Sequence, residues 1–303
     1  MVLFTYRSGM THTQGDNMKA EDTERIAQAF INQLAQGNVP WRKPWSADGT
    51  APRNYQTQRP YRGINTLILG IANMEHGYQS PCWTTFKAAA AQGAYVRKGE
   101  KSTPVVFWKR IKVEDKATGT DKVIPLMRLY PMFNTDQVDG ITWTPSQRDP
   151  VDVPVALKQL IADYPNPPSI THAAGDRAYY QPSTDAITMP LLGQFDTTQG
   201  YAETICHELV HSTGHTSRLG RFDNNHVGHS GDYAKEELVA EIGASMLMQN
   251  AGIPVDMPQM GAYVQSWLRA LQDDHSLIVK AAQAAQKAVD HIQNTTFKED
   301  SDV

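Results

Sequence analysis

Apolar residues recur along this chain with two different periods, and the switches between them outline its elements. Over residues 21–36, Ile26, Phe30, Ile31 and Leu34 fall on one stripe of a 3.6-residue helix that Gly37 stops. The same spacing predicts helices over 64–75, ending near Gly77, and over 84–92, ending at Gly93. Between the first two, residues 38–62 are dense in Pro, Trp, Arg and Tyr and read as a long ordered loop. Residues 105–113 and 123–133 are then rich in β-branched and aromatic side chains. A polar turn containing Thr118-Gly119 separates them, which predicts a hairpin. Helical spacing returns over 155–163, 202–213 (closed by Gly214), 233–250, 257–271 and 276–293, and residues 178–181 and 186–189 bracket a four-residue turn as a short strand pair. The fold class expected is α+β. A first α/β unit, 19–135, carries a β-hairpin or small sheet, and a second, mostly helical unit, 155–303, carries the strand pair. Residues 1–18 read as a flexible tail. Residues 136–154, with Pro145, Pro150 and Pro154, read as a linker.

Composition narrows the class. With 303 residues, 40% hydrophobic and 20% charged, this is an ordinary globular chain of two-domain length. No apolar run approaches the roughly 18 residues of a membrane helix, so no membrane partner is expected. The opening apolar residues are broken by Thr5 and Arg7 before a signal core forms, so export is not expected either. Two distant cysteines, Cys82 and Cys206, exclude a disulfide framework and fit a reducing, cytoplasmic setting. The net charge of −4 conceals an asymmetry. Residues 1–135 hold 18 Lys and Arg against 10 Asp and Glu, a balance of +8, whereas residues 136–303 stand at −12. A basic half joined to an acidic half suggests two modules, the first suited to a polyanion.

The sharpest chemical signal is His207-Glu208-Leu209-Val210-His211. Two histidines four apart on a helix share one face, so both imidazoles can reach one ion, and the intervening Glu208 can act on a bound water as general base. Chance would produce the motif about 0.01 times in a chain of this composition. A third protein ligand is needed. His215 follows Gly214 but sits where a helix should end, and the later metzincin position holds Ser217; His226 and His229 lie in a polar loop. The better source is the acidic helix that follows. Glu237 and Glu241 stack one turn apart beside a core stripe of Val239, Ile242 and Met246, so Glu237 is assigned as ligand and Glu241 as the carboxylate orienting a ligand imidazole. Glu236, about 100° round the helix, is the alternative ligand. Zinc and manganese both suit such a His-His-carboxylate set. Cys206 lies on another face and reads as a small buried filler.

The basic half carries a second signal. Trp41, Arg42, Lys43, Trp45, Arg53, Tyr55, Arg59, Tyr61 and Arg62 crowd into residues 41–62, and Arg97, Lys98 and Lys101 flank Gly99, with Lys109, Arg110 and Lys112 on the expected hairpin. Interleaved cations and rings suit single-stranded DNA, the cations tracking phosphates and the rings stacking on bases. No groove-reading motif accompanies them.

Taken together, several ordered blocks resemble the ArdC antirestriction family over about residues 20–295. They include Pro40-Trp41-Arg42-Lys43-Pro44-Trp45, Pro60-Tyr61-Arg62-Gly63-Ile64-Asn65, Trp83-Thr84-Thr85-Phe86-Lys87 and Gly93-Ala94-Tyr95-Val96-Arg97-Lys98-Gly99-Glu100. The second half adds 207–211, 236–241 and the run Tyr263, Trp267-Leu268, Leu271 and Asp274. The resemblance implies an N-terminal single-stranded-DNA-binding domain, a zincin-like metallopeptidase domain, and a plasmid-borne role in protecting incoming conjugated DNA from host restriction. The family's metal-site positions map onto His207, Glu208 and His211. Three functional readings follow. One is a DNA-bound metallopeptidase acting on a host restriction enzyme or other protein. The second is a DNA-covering protein with a structural metal, and the third a DNA-dependent protease of DNA-bound proteins.

Overall fold

A computed structural model of the chain describes residues 20–42, 49–115, 120–145, 151–222, 230–255 and 261–296, with the backbone alone at 20, 108–115, 120–127, 230–232 and 261–263. The expected tail, Lys43, Trp45, Thr118, Gly119, Pro150, His226 and His229 lie outside the described residues.

The first helix, α1 (Ala20–Ala35), forms where the periodicity requires it and buries Ile26, Ala27, Phe30 and Leu34. Each large apolar side chain so buried contributes roughly 1.5–3 kcal/mol. At Gly37 the chain takes φ +77°, open to glycine at little cost, and residues 39–42 turn into the interior. There follow β1 (Arg53–Asn54), α2 (Ile64–His76), β2 (Cys82–Thr84), α3 (Phe86–Ala91), β3 (Tyr95–Val96), β4 (Thr103–Asp115) and β5 (Thr120–Asn134). The helix expected from 84 starts later because residues 82–84 are drawn into the sheet, Trp83 pairing with Asn134, and Thr85 caps the helix by accepting from the Ala88 N–H at 3.1 Å. The sheet order is β1-β2-β5-β4. Strands β4 and β5 pair from Thr103↔Met132 to Asp115↔Thr120, but β2 reaches β5 only at Phe133 and Asn134, so the rest of the hairpin is a two-stranded arm. Asn65 fastens α2 to the base of that arm, donating to the Val106 carbonyl and accepting from its N–H, both at 2.7 Å.

Parts of the stretch read as a linker, residues 136–154, belong to regular elements. β6 (Val138–Asp139) pairs antiparallel with β3, and Val153 opens α4 (Val153–Asp163), capped by Asp152. The second half comprises β7 (Ser169–Ala173), β8 (Tyr179–Gln181), β9 (Ala186–Pro190), α5 (Thr198–Ser212), α6 (Ser230–Asn250), α7 (Gly261–Asp273) and α8 (Leu277–Ile292). Its sheet runs β7-β9-β8, with β7 parallel and β8 antiparallel to β9. Strand β7 has no counterpart in the sequence reading, because it is an exposed edge whose one half-buried apolar residue is Ile170.

One hydrophobic cluster runs through both halves. Ile26, Phe30, Trp41, Ile64 and Leu67 belong to it together with Ile187, Leu209, Leu247, Trp267 and Val289. Trp41 and Trp267 meet edge to face, their centroids 5.4 Å apart. No helix among the described residues is long and apolar enough to cross a membrane.

Candidate metal centre

Helix α5 is capped by Thr197, whose hydroxyl accepts from the Gly200 N–H, and it buries Ala202, Ile205, Leu209 and Val210. That choice of buried face sets the orientation of His207 and His211, which project toward α6. Their Nε2 atoms lie 3.0 Å apart, and the two oxygens of Glu237 face them at 3.5 Å from His207 and 3.4 Å from His211. Two imidazole nitrogens and a carboxylate, with ligand atoms all within 4.8 Å of one another, make a donor set of the composition that can hold a divalent metal. Two ring nitrogens this close repel unless a proton or a cation lies between them. Glu208 is buried on the same helix, one residue beyond His207.

The outward ring nitrogens are held too. His207 Nδ1 is 3.3 Å from Glu241 and His211 Nδ1 is 3.3 Å from Glu236. Each of these carboxylates is in turn gripped by an arginine. Arg221 reaches both oxygens of Glu236, at 2.7 and 3.1 Å, and also the Val210 carbonyl. Arg42 donates to Glu241 through Nε and Nη2, at 3.3 and 2.8 Å, and pairs with Glu203. A carboxylate behind Nδ1 fixes the tautomer that leaves Nε2 free for a metal.

Burial opposes charge on both imidazoles, yet the carboxylates prevail. Glu237 and Glu241 push His207 up to about 10, and Glu236 and Glu237 raise His211. Against the same burial, the histidines hold Glu236, Glu237 and Glu241 below the usual carboxylate range, with help from Arg221 at Glu236 and from Arg42 at Glu241. The cluster therefore carries an excess of negative charge that protons on the imidazoles or a cation must meet.

The neighbouring groups stand apart from it. His215 bonds to Ser217 at 2.7 Å. Cys206 is a buried free thiol that burial pushes up to about 12. Of the basic, aromatic block expected to meet DNA, Trp41 and Arg42 face inward instead, and Tyr61 and Arg62 are half-buried. Trp41 is 0% exposed, so it has no ring face to offer a base, and Arg42 is buried against Glu203 and Glu241. The Tyr61 hydroxyl is pushed up to about 12 by burial, and Arg62 pairs with Asp290 of α8. Packing between the halves claims these side chains because each combines an apolar or planar body with a donor. Arg53 is half-buried, whereas Arg59, Arg97, Lys98 and Lys101 are exposed, Arg97 bridging Glu100 and Asp139. The sequence reading missed Glu203, Arg221 and the true setting of Arg42. Arg221 stands ten residues after His211 in the sequence, the one signal available for it.

Comparison with known proteins agrees with this architecture. The profile of the N-terminal domain of anti-restriction factor ArdC matches residues 20–138. That of a zincin-like metallopeptidase matches residues 159–284. Two DNA primases TraC of Escherichia coli are 39% and 38% identical over 89% of this chain, which spans only 20% and 27% of their length. An uncharacterised protein of Sinorhizobium fredii, y4eC, is 33% identical over 88% of this chain and 90% of its own. The metal-free crystal structure of antirestriction protein ArdC from plasmid R388 superposes with a TM-score of 0.77 at 40% identity, covering 91% of this chain and 99% of that one. Its Mn(II)-bound form superposes at 0.75, so a relative with this fold holds a divalent metal. With the two units in the same order and the identity carried across nearly all of the R388 protein, this chain belongs to the ArdC antirestriction family.

Proposed function

We propose that this protein holds single-stranded DNA on its basic half and hydrolyses peptide bonds at a divalent-metal centre of His207, His211 and Glu237, protecting incoming conjugative plasmid DNA from host restriction. The observation that carries the hydrolytic part is the convergence of two Nε2 atoms on both oxygens of Glu237, at 3.4 and 3.5 Å. A divalent cation bound there, zinc or manganese, supplies Lewis acidity toward a peptide carbonyl and acidifies water beside it. Glu208 accepts the proton of the attacking water on its carboxylate and returns it to the departing amine. Glu241 and Glu236 keep the imidazoles turned inward through their Nδ1 atoms. In the sheet β7-β9-β8 the central β9 is paired on both sides, and residues 179–181 of β8 offer an edge that aligns an extended peptide. The protein substrate is a host restriction enzyme or another protein on the DNA.

For the nucleic acid, Arg59, Lys98 and Lys101 are exposed cations. Phe86 and Tyr95, 61% and 63% exposed, add ring faces in the same half. The β4–β5 arm carries Lys109, Arg110 and Lys112. The test compares full-length wild type with Glu208→Ala. The variant should keep Mn(II) and single-stranded DNA binding while peptide hydrolysis falls by about 10²-fold or more. Undiminished hydrolysis removes Glu208 from the reaction. If protection of DNA in cells survives Glu208→Ala but is lost in Lys98→Ala/Lys101→Ala, the protein acts by covering DNA and the metal centre is a scaffold.

A further inference from the structure

Each imidazole of the centre is backed by a carboxylate and then a guanidinium, but the two guanidiniums come from opposite parts of the chain. Arg221 follows α5 closely, whereas Arg42 precedes its partner Glu241 by 199 residues and belongs to the segment that leaves α1. Arg42 is only 5% exposed. Its backbone has little freedom. The Trp41 carbonyl accepts from the Ser245 hydroxyl and, at 3.2 Å, from Gln249 Nε2, while the Trp41 ring packs against Trp267. So anchored, the guanidinium holds one oxygen of Glu241, Oε2, and leaves the other, Oε1, for His207 Nδ1. A carboxylate released from that grip can rotate about its side-chain torsions, and the imidazole it orients is then free to turn its Nε2 away from Glu237.

We propose that Arg42 is a positioning residue for the metal centre, acting through Glu241 on His207, so that the metal affinity of the acidic half is set in part by a side chain of the basic half. The proposal rests on the reading of His207, His211 and Glu237 as metal ligands. A purely architectural role for Arg42, as an ion pair joining the halves, predicts a change in stability alone. A positioning role also predicts a change in the metal's surroundings.

The experiment titrates Mn(II) into full-length, chelator-stripped protein and records its electron paramagnetic resonance spectrum, with thermal melts of the metal-free forms alongside. Wild type that binds no Mn(II) overturns the metal-centre reading itself; everything else bears on Arg42. Arg42→Gln is expected to bind Mn(II) 10–100-fold more weakly and with an altered spectrum. The double variant Arg42→Gln/Glu241→Gln should bind no worse than Glu241→Gln, because both changes act on one connection. Asp290→Asn, which breaks the Arg62–Asp290 pair between the same halves, should shift the melt and leave affinity and spectrum unchanged. Wild-type affinity and spectrum in a folded Arg42→Gln overturn the proposal, as do losses that simply add in the double variant. If Arg42→Gln does not fold, Arg42→Lys decides. It keeps the charge without the two-point grip, so intermediate affinity with an altered spectrum supports positioning, and wild-type binding overturns it.

Discussion

His207 and His211 are four residues apart because that spacing stacks them on one face of a helix, and this much of the centre is written in the sequence. The choice among Glu236, Glu237 and Glu241 is not, since all three lie within a turn and a half of one another and only the angle at which α6 meets α5 decides which faces the ring nitrogens. In the fold Glu237 faces both Nε2 atoms, and its two neighbours back the Nδ1 atoms. The same contacts dictate a pH dependence. Glu237 and Glu241 raise His207 to about 10, so the stability that its charged form contributes is fully present below its unfolded value of about 6.5 and is lost as pH climbs toward 10. Metal-free protein should therefore show a falling Tm across that range. Mn(II)-saturated protein, whose imidazoles cannot also hold that proton, should show a flatter profile, and Mn(II) affinity should rise with pH because binding releases protons. Melts at stepped pH, with chelator or with excess Mn(II), read both; parallel profiles would contradict the assignment of His207.

Between elements, the decisive contact is the approach of α6 to α5. A Cβ at Gly243 would lie 2.8 and 2.9 Å from the two Val210 methyl carbons, so this glycine is what lets the carboxylates of α6 come within reach of the imidazoles of α5. Gly243→Ala should destabilise the protein by about 1–3 kcal/mol through overpacking and weaken Mn(II) binding by moving Glu237 outward. Pairing it with Val210→Ala, which vacates the same space, should recover part of both losses. An unchanged melt for Gly243→Ala would show that the helices have room to spare. In the sequence Gly243 reads only as a weak point in a helical pattern. Helices α1, α2, α4, α5, α7 and α8 were legible because each has an apolar stripe of its own, whereas α6 is buried on nearly every side over residues 238–248. Strand β7 and the pairing of β6 with β3 were not, because short edges owe their hydrogen bonds to partners distant in sequence.

Across the whole molecule, the opposite charges of the two halves meet in ion pairs, Arg42 with Glu203 and Glu241, and Arg62 with Asp290. Their apolar surfaces merge in one cluster. A fragment of residues 151–303 would lose the cover of Phe30, Trp41 and Leu67, so it should melt without a sharp transition and bind a hydrophobic dye that the full chain ignores. A cooperative, dye-silent melt of that fragment would show that the halves fold independently. Local periodicity and motif spacing, properties of neighbouring residues, were enough to settle the α+β class, most helices, the hairpin and the histidine pair. The burial of Trp41 and Arg42, the partners of Glu236 and Glu241, and the shared core were decided only in three dimensions. Contacts between residues some 200 positions apart leave no periodic trace, and an arginine bound for a buried carboxylate looks in sequence just like one bound for a phosphate.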